Sequence, residues 1–181
     1  MLTIRPATPL DAAFVARCVC LALHHDPSPE ELPHIAEVCS REDVLYSYRH
    51  ALIGYLDGEP VGLCLAYPGE NYHEVRLRTF ALFAAGNPEM DLDNADDETG
   101  PSEYYIDSLA VLPQYRRCGY GRELMQAQID RGLAQGLTHI TLLVDPDNPG
   151  AQRLYAQLGF EYESDCYAFG QTFLKWGMRK N

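Results

Sequence analysis

An α/β fold with a mixed central sheet flanked by helices is predicted by three features of this 181-residue chain. Strand-like and helix-like runs alternate from end to end. Asp57-Gly58 sits between two apolar runs, a strong signal for a hairpin turn. A glycine turn at 118–121 joins an aromatic, β-branched strand to an amphipathic helix. The length suits a single domain, 1–181.

Each element has a local reason. Leu2 to Pro6 reads as a strand. Thr8, with Asp11 three residues on, resembles a capping box opening a helix that runs to His24 or His25. Asp26-Pro27 stops it. Ser28 to Cys39 is a second helix, with Ser28 as cap and Glu30 and Glu31 in the first turn. Ala51 to Tyr55 and Pro60 to Tyr67 are the hairpin strands, and Asn71 to Ala85 is helical. Residues 86–103 hold Glu89, Asp91, Asp93, Asp96, Asp97, Glu98 and Glu103 without Lys or Arg, and read as a solvated acidic loop insertion. The same loop could guide a cationic substrate.

From Tyr104 the pattern is regular. Tyr104 to Leu112 is a strand that Pro113 ends, and Gly119 to Gln135 a helix closed by Gly136. Thr138 to Val144 is a buried-type strand. Pro149 to Leu158 is a helix with Asn148 as N-cap and Gly159 as stop. Phe160 to Phe169 and Thr172 to Met178 complete the sheet.

Composition narrows the function. A net charge of −12 argues against a nucleic-acid partner and is compatible with a cationic one. No apolar run approaches a membrane span. The N-terminus lacks a signal-peptide layout, so the cytoplasm is the expected location. Six scattered cysteines read as free thiols, and neither they nor the six histidines have metal-ligand spacing.

The strongest motif is Arg116-Arg117-Cys118-Gly119-Tyr120-Gly121 between strand and helix. Free N–H groups and the positive end of the helix suit a diphosphate there, with Arg116, Arg117 and Arg122 adding charge. Alone, such a turn can equally be structural. It lacks the third glycine of a dinucleotide fingerprint and the Gly-Lys-Ser/Thr of a P-loop.

The segment from Tyr105 to Gly121 resembles the acetyl-CoA motif of the GNAT acetyltransferase superfamily. Asn148-Pro149-Gly150-Ala151-Gln152-Arg153-Leu154-Tyr155-Ala156-Gln157-Leu158-Gly159-Phe160 is similar to a second signature of that family. The resemblance covers Tyr104 to Phe160. It implies a GNAT-like sheet, acetyl-CoA as acetyl donor, no metal, and direct transfer to an amine in a ternary complex.

It also implies roles. Leu109, Ala110 and Val111 would pair with the pantetheine arm. Arg116, Arg117, Cys118, Gly119, Tyr120, Gly121 and Arg122 would hold the diphosphate. Asn148 and Ala151 would lie at the cofactor, and Tyr155 would protonate the leaving thiolate. Cys118 departs from the glycine or basic residue usual in relatives. Of the general-base candidates Asp107 and Glu103, Asp107 is preferred because it lies nearer the expected thioester, although it could equally be structural.

The acceptor is a small-molecule or protein amine, and the charge balance favours a cationic one. Two readings compete: an acyl-CoA sensor without turnover, and a transferase using a longer acyl-CoA. The aromatic segment Tyr162 to Trp176 allows a homodimer or a completed core.

Overall fold

The computed structural model describes residues 1–84 and 96–180. Its strands are β1 (Thr3–Pro6), β2 (Ala51–Leu56), β3 (Glu59–Pro68), β4 (Glu103–Val111), β5 (His139–Val144), β6 (Glu161–Ala168) and β7 (Gln171–Arg179). They form a seven-stranded mixed sheet in the order β1-β2-β3-β4-β5-β7-β6. The helices are α1 (Ala12–Ala22), α2 (Glu31–Cys39), α3 (Tyr72–Ala84), α4 (Tyr120–Ala134) and α5 (Pro149–Leu158). The predicted α/β class is the observed one. Contacts divide the chain into two compact units, one of residues 1–66 and 108–128, the other of 67–107 and 129–181.

In the first unit, β1 pairs antiparallel with β2, and β2 with β3. Asp57 and Gly58 both have positive φ, 52° and 88°, as the predicted tight hairpin requires. The Thr8–Asp11 pairing is present: the Thr8 N–H donates to the Asp11 carboxylate at 2.7 Å. Arg5 grips the same carboxylate at 2.9 and 3.0 Å, and these bonds hold it far below the usual carboxylate range. A 3-10 turn at Pro9–Asp11 precedes α1, which ends at Ala22, short of the histidines. Ser28 and Glu31 exchange reciprocal hydrogen bonds, although regular α-helix starts only at Glu31.

Val15, Ala16 and Cys18 of α1, Cys39 of α2, and Ile53, Leu63 and Leu65 of the hairpin are fully buried. Gln128 is a fully buried polar residue in this core. Its amide donates to the carbonyls of His50 and Cys64 at 2.8 and 2.7 Å, which satisfies both amide hydrogens in an apolar setting.

In the second unit, β5 lies between β4, parallel to it, and β7, antiparallel to it, and β6 pairs antiparallel with β7. Gly132 of α4 packs on the Tyr104 ring so closely that an added Cβ would come within 2.5 Å of it. Tyr104, Ile129, Ile140 and Leu142 are buried.

The acidic loop needs a correction within its described part. Residues 86–95 lie outside the described residues. Over 96–102 the segment is not uniformly solvated, because Glu98 is only 8% exposed. The Tyr72 and Tyr105 hydroxyls each donate to one of its oxygens, and these bonds make burial of a carboxylate tolerable. Asp96 is tied to β6 by its backbone N–H to the Tyr167 carbonyl at 2.9 Å and by its carboxylate, which accepts from the Tyr167 N–H at 2.8 Å. Glu103, expected at the loop's end, opens β4 instead.

All six cysteines are free thiols, and only Cys118 is exposed. Among the described residues no helix is long and apolar enough to cross a membrane.

Candidate active site

The strand that carries the motif is paired unevenly. The ladder between β4 and β5 runs from Glu103 opposite His139 to Ile106 opposite Leu142, while β4 continues through Asp107–Val111. On that continuation the side chains alternate: Ser108 and Ala110 are buried, whereas Asp107, Leu109 and Val111 are half-buried. Its end is fastened to β3 by a hydrogen bond from the Leu112 N–H to the Val61 carbonyl, 2.9 Å.

A 3-10 turn at Pro113–Tyr115 then leads into the arginine-glycine turn. The Arg116 guanidinium folds back, its Nε donating to the Val111 carbonyl at 3.0 Å, so one of the predicted charges also braces the turn. Arg117 and Gly119 have positive φ, 63° and 88°. A left-handed conformation at a non-glycine residue is costly and points to a functional demand on the backbone. Gly119 needs to be glycine for its φ. Gly121 does not, since a Cβ there would meet only Leu109 and Val111 methyls at an ordinary 3.8 Å. The absence of a side chain at Gly121 leaves the first turn of α4 bare.

Helix hydrogen bonding begins with the Arg122 N–H on the Gly119 carbonyl at 3.0 Å. The N–H groups of Tyr120 and Gly121 precede it, where a helix offers no carbonyl of its own. Exposed Arg117, Cys118 and Gly119 flank them. The geometry suits a phosphate-bearing ligand: backbone donors at a helix start, the helix positive end and cationic side chains on one turn.

The second predicted element is α5. The Asn148 carbonyl oxygen caps it, accepting from the Ala151 N–H at 3.0 Å. Asn148 and Ala151, both expected at the cofactor, are thus joined to each other at the helix start. Gly159 ends α5 at φ 95°, and the Phe160 N–H reaches the Tyr155 carbonyl at 3.0 Å. Tyr155 is half-buried, its ring edge-on to Phe160 with centroids 6.1 Å apart.

The two candidate bases differ in surroundings. Glu103 is an anchor. Lys175 of β7 pairs with it at 2.8 Å, and the Thr99 and Thr141 hydroxyls donate to it at 2.8 and 3.1 Å. Burial pushes its proton affinity up, but these donors outweigh burial and leave it below the ordinary Glu value. Asp107 is half-buried and accepts a hydrogen bond from the Tyr67 hydroxyl.

The Glu103–Lys175 pair sets a pH-dependent stability. A carboxylate with a depressed folded-state pKa stabilises the fold above the unfolded Glu range, about 4.3, and ceases to do so as pH falls through the folded value. Lys175→Met leaves the carboxylate, only 16% exposed, without its cation. The expected loss is roughly 1–3 kcal/mol at pH 7, shrinking below about pH 4. Urea unfolding at both pH values checks it; an equal loss at both would show that packing, not charge, is responsible.

A strand, a turn with two left-handed residues and the N-terminus of α4 follow one another here. The Acetyltransferase (GNAT) family model matches residues 19–160, and the chain belongs to that family. A crystal structure of an acetyltransferase superposes with a TM-score of 0.79 at 28% identity over 98% of both chains. That of an N-acetyltransferase from Staphylococcus aureus Mu50 has a TM-score of 0.78 at 22% identity, over 97% of this chain and 100% of that one, and shows the shared fold. An L-methionine sulfoximine/L-methionine sulfone acetyltransferase of Pseudomonas aeruginosa is 35% identical over 69 residues. That match spans 38% of this chain and only 40% of the relative. Acetyl-CoA is the donor this family uses. Among the described residues no group of His, Cys, Asp and Glu is arranged to hold a metal ion.

Sequence reasoning did not single out Tyr67, Tyr72 or the role of Glu98. Tyr67 continues the alternation Leu63, Leu65, Tyr67 on β3 and reads as core. Its hydroxyl partner lies forty residues away.

Proposed function

We propose that this protein transfers an acetyl group from acetyl-CoA to a primary amine by direct attack in a ternary complex. The observation that carries the reading is the turn at Arg116–Arg122, with Arg117 and Gly119 left-handed ahead of the bare first turn of α4. That turn suits a diphosphate, and the family supplies the donor.

Each remaining requirement has a residue. Leu109, Ala110 and Val111 lie on β4 beyond the ladder with β5, and we assign their backbone to the pantetheine amides. A backbone N–H near Leu109 meets the negative charge that grows on the thioester oxygen. A free alkyl amine has a pKa of about 10.4, so roughly one molecule in a thousand or fewer is neutral at pH 7. Asp107 takes the ammonium proton, directly or through water. The nitrogen bonds to the acetyl carbon, the carbon–sulfur bond breaks, Tyr155 gives its proton to the leaving sulfur, and the proton the nitrogen then loses restores Tyr155 through water. Glu103 stays outside the chemistry, held by Lys175.

Asp107→Asn is expected to lower kcat about 10–100-fold at pH 7 and much less near pH 10, where the amine deprotonates unaided. A pH series of kcat checks this, and an equal loss at every pH counts against a base role. The acceptor class we favour is a small amino-acid-like amine, on the name of the Pseudomonas aeruginosa relative. Calorimetric titration with acetyl-CoA, then CoA release against pooled amines including L-methionine sulfoximine and L-methionine sulfone, tests the whole reading. Binding with release in one amine class supports it. Binding without release favours a sensor, and no binding removes the central claim.

A further inference from the structure

Beside Asp107 lies a buried set of phenols and carboxylates that the proposed transfer does not use. Tyr67 ends β3 and donates to Asp107 Oδ2. Its ring lies 5.8 Å from that of Tyr105 and 6.4 Å from that of Tyr72. Tyr72 and Tyr105 in turn donate to the two oxygens of Glu98, whose burial raises its proton affinity above the ordinary Glu value. All three tyrosines are at most 3% exposed. The charged and titratable groups of this set come from five places: Tyr67 from β3, Tyr72 and Arg76 from α3, Asp97 and Glu98 from the segment before β4, Tyr105 with Asp107 from β4 itself, and Cys166 from β6. Arg76 covers the Tyr72 ring at 5.9 Å and donates to the Asp96 carbonyl at 2.8 Å.

Two kinds of neighbour bear on a carboxylate in opposite directions. A phenol that donates to a carboxylate stabilises its charged form and weakens it as a base. A second carboxylate nearby disfavours that charged form and strengthens it. Glu98 and Asp107 are close enough that burial and both of their charges raise the Tyr67 and Tyr105 hydroxyls well above the ordinary tyrosine value.

We propose that Tyr67 is a positioning residue: it holds the Asp107 carboxylate in one orientation and sets its basicity in opposition to Glu98. The proposal rests on the reading of Asp107 as the base. No proton need pass through Tyr67; its hydroxyl proton stays in the hydrogen bond.

The test does not require the acceptor. In protein carrying 13C-labelled Asp carboxyls, the Asp107 resonance is identified by its loss in Asp107→Asn and titrated in wild type, Tyr67→Phe and Glu98→Gln. Tyr67→Phe keeps the ring and is expected to raise the Asp107 midpoint by about one pH unit. Glu98→Gln removes the second carboxyl and is expected to lower it. A structural role alone would not move the two variants in opposite directions. An unmoved midpoint in Tyr67→Phe overturns the proposal, whether or not Glu98→Gln folds. A shift of both variants in the same direction overturns the opposition. Separately, wild-type kcat in Asp107→Asn would remove the base reading and the positioning role with it.

Discussion

Tyr155→Phe is expected to lower kcat about 10²–10³-fold, because a leaving thiolate loses its proton donor. Acetyl-CoA affinity, read by calorimetry, should change by less than about twofold. The reason is local: Phe keeps the ring that meets Phe160 at 6.1 Å, and the backbone carbonyl of residue 155 still accepts the Phe160 N–H. Stability should therefore stay close to wild type, within the usual limits for a half-buried, near-isosteric change. A variant that turns over normally would remove Tyr155 from the mechanism. One that loses affinity as well as turnover would make the hydroxyl a binding group, not an acid.

Gly62→Ala is expected to damage the fold. A Cβ at Gly62 would stand 2.5 Å from the Ala110 carbonyl oxygen and 3.0 Å from the Val111 Cα. Both are backbone atoms of β4, so no side chain can turn aside. Overpacking of this kind costs roughly 1–3 kcal/mol, and the conformational gain of replacing glycine, about 0.5–1 kcal/mol, offsets only part. A melting temperature lower by roughly 2–5 °C is expected for a chain of this size. The displaced atoms lie in the segment assigned to pantetheine, so KM for acetyl-CoA should rise as well. Gly150→Ala is the control for stability. Its Cβ would meet nothing closer than the Asn148 side-chain oxygen at 3.5 Å, and α5 should be unchanged or slightly firmer. Equal melting temperatures for wild type and Gly62→Ala would mean that β3 and β4 can separate without cost.

Local chemistry made much of this architecture legible. Asp57-Gly58 can be read as a hairpin because left-handed φ at two successive residues is a local steric demand. Asn148, Pro149 and Gly159 bracket α5 for equally local reasons. The helix starts were less sharp, as at Ser28, where the capping exchange forms three residues before regular α-helix.

Charged residues were read less well. Glu98 and Glu103 sit in an acidic stretch and look alike by composition. One is buried beneath two phenols and the other is paired with Lys175, 72 residues further on. Gln128 lies on the buried stripe of α4, where helical period alone expects an apolar residue, and its carbonyl partners at His50 and Cys64 explain it.

By itself, then, the sequence determined the elements, their turns and the family, because caps, glycine dihedrals and alternating polarity act over a few residues. Tertiary structure alone decided which carboxylate is an anchor, which is buried and which meets Tyr67. Strand pairing brings those partners together across 7 to 72 residues, and a carboxylate's proton affinity depends on the neighbours it meets there.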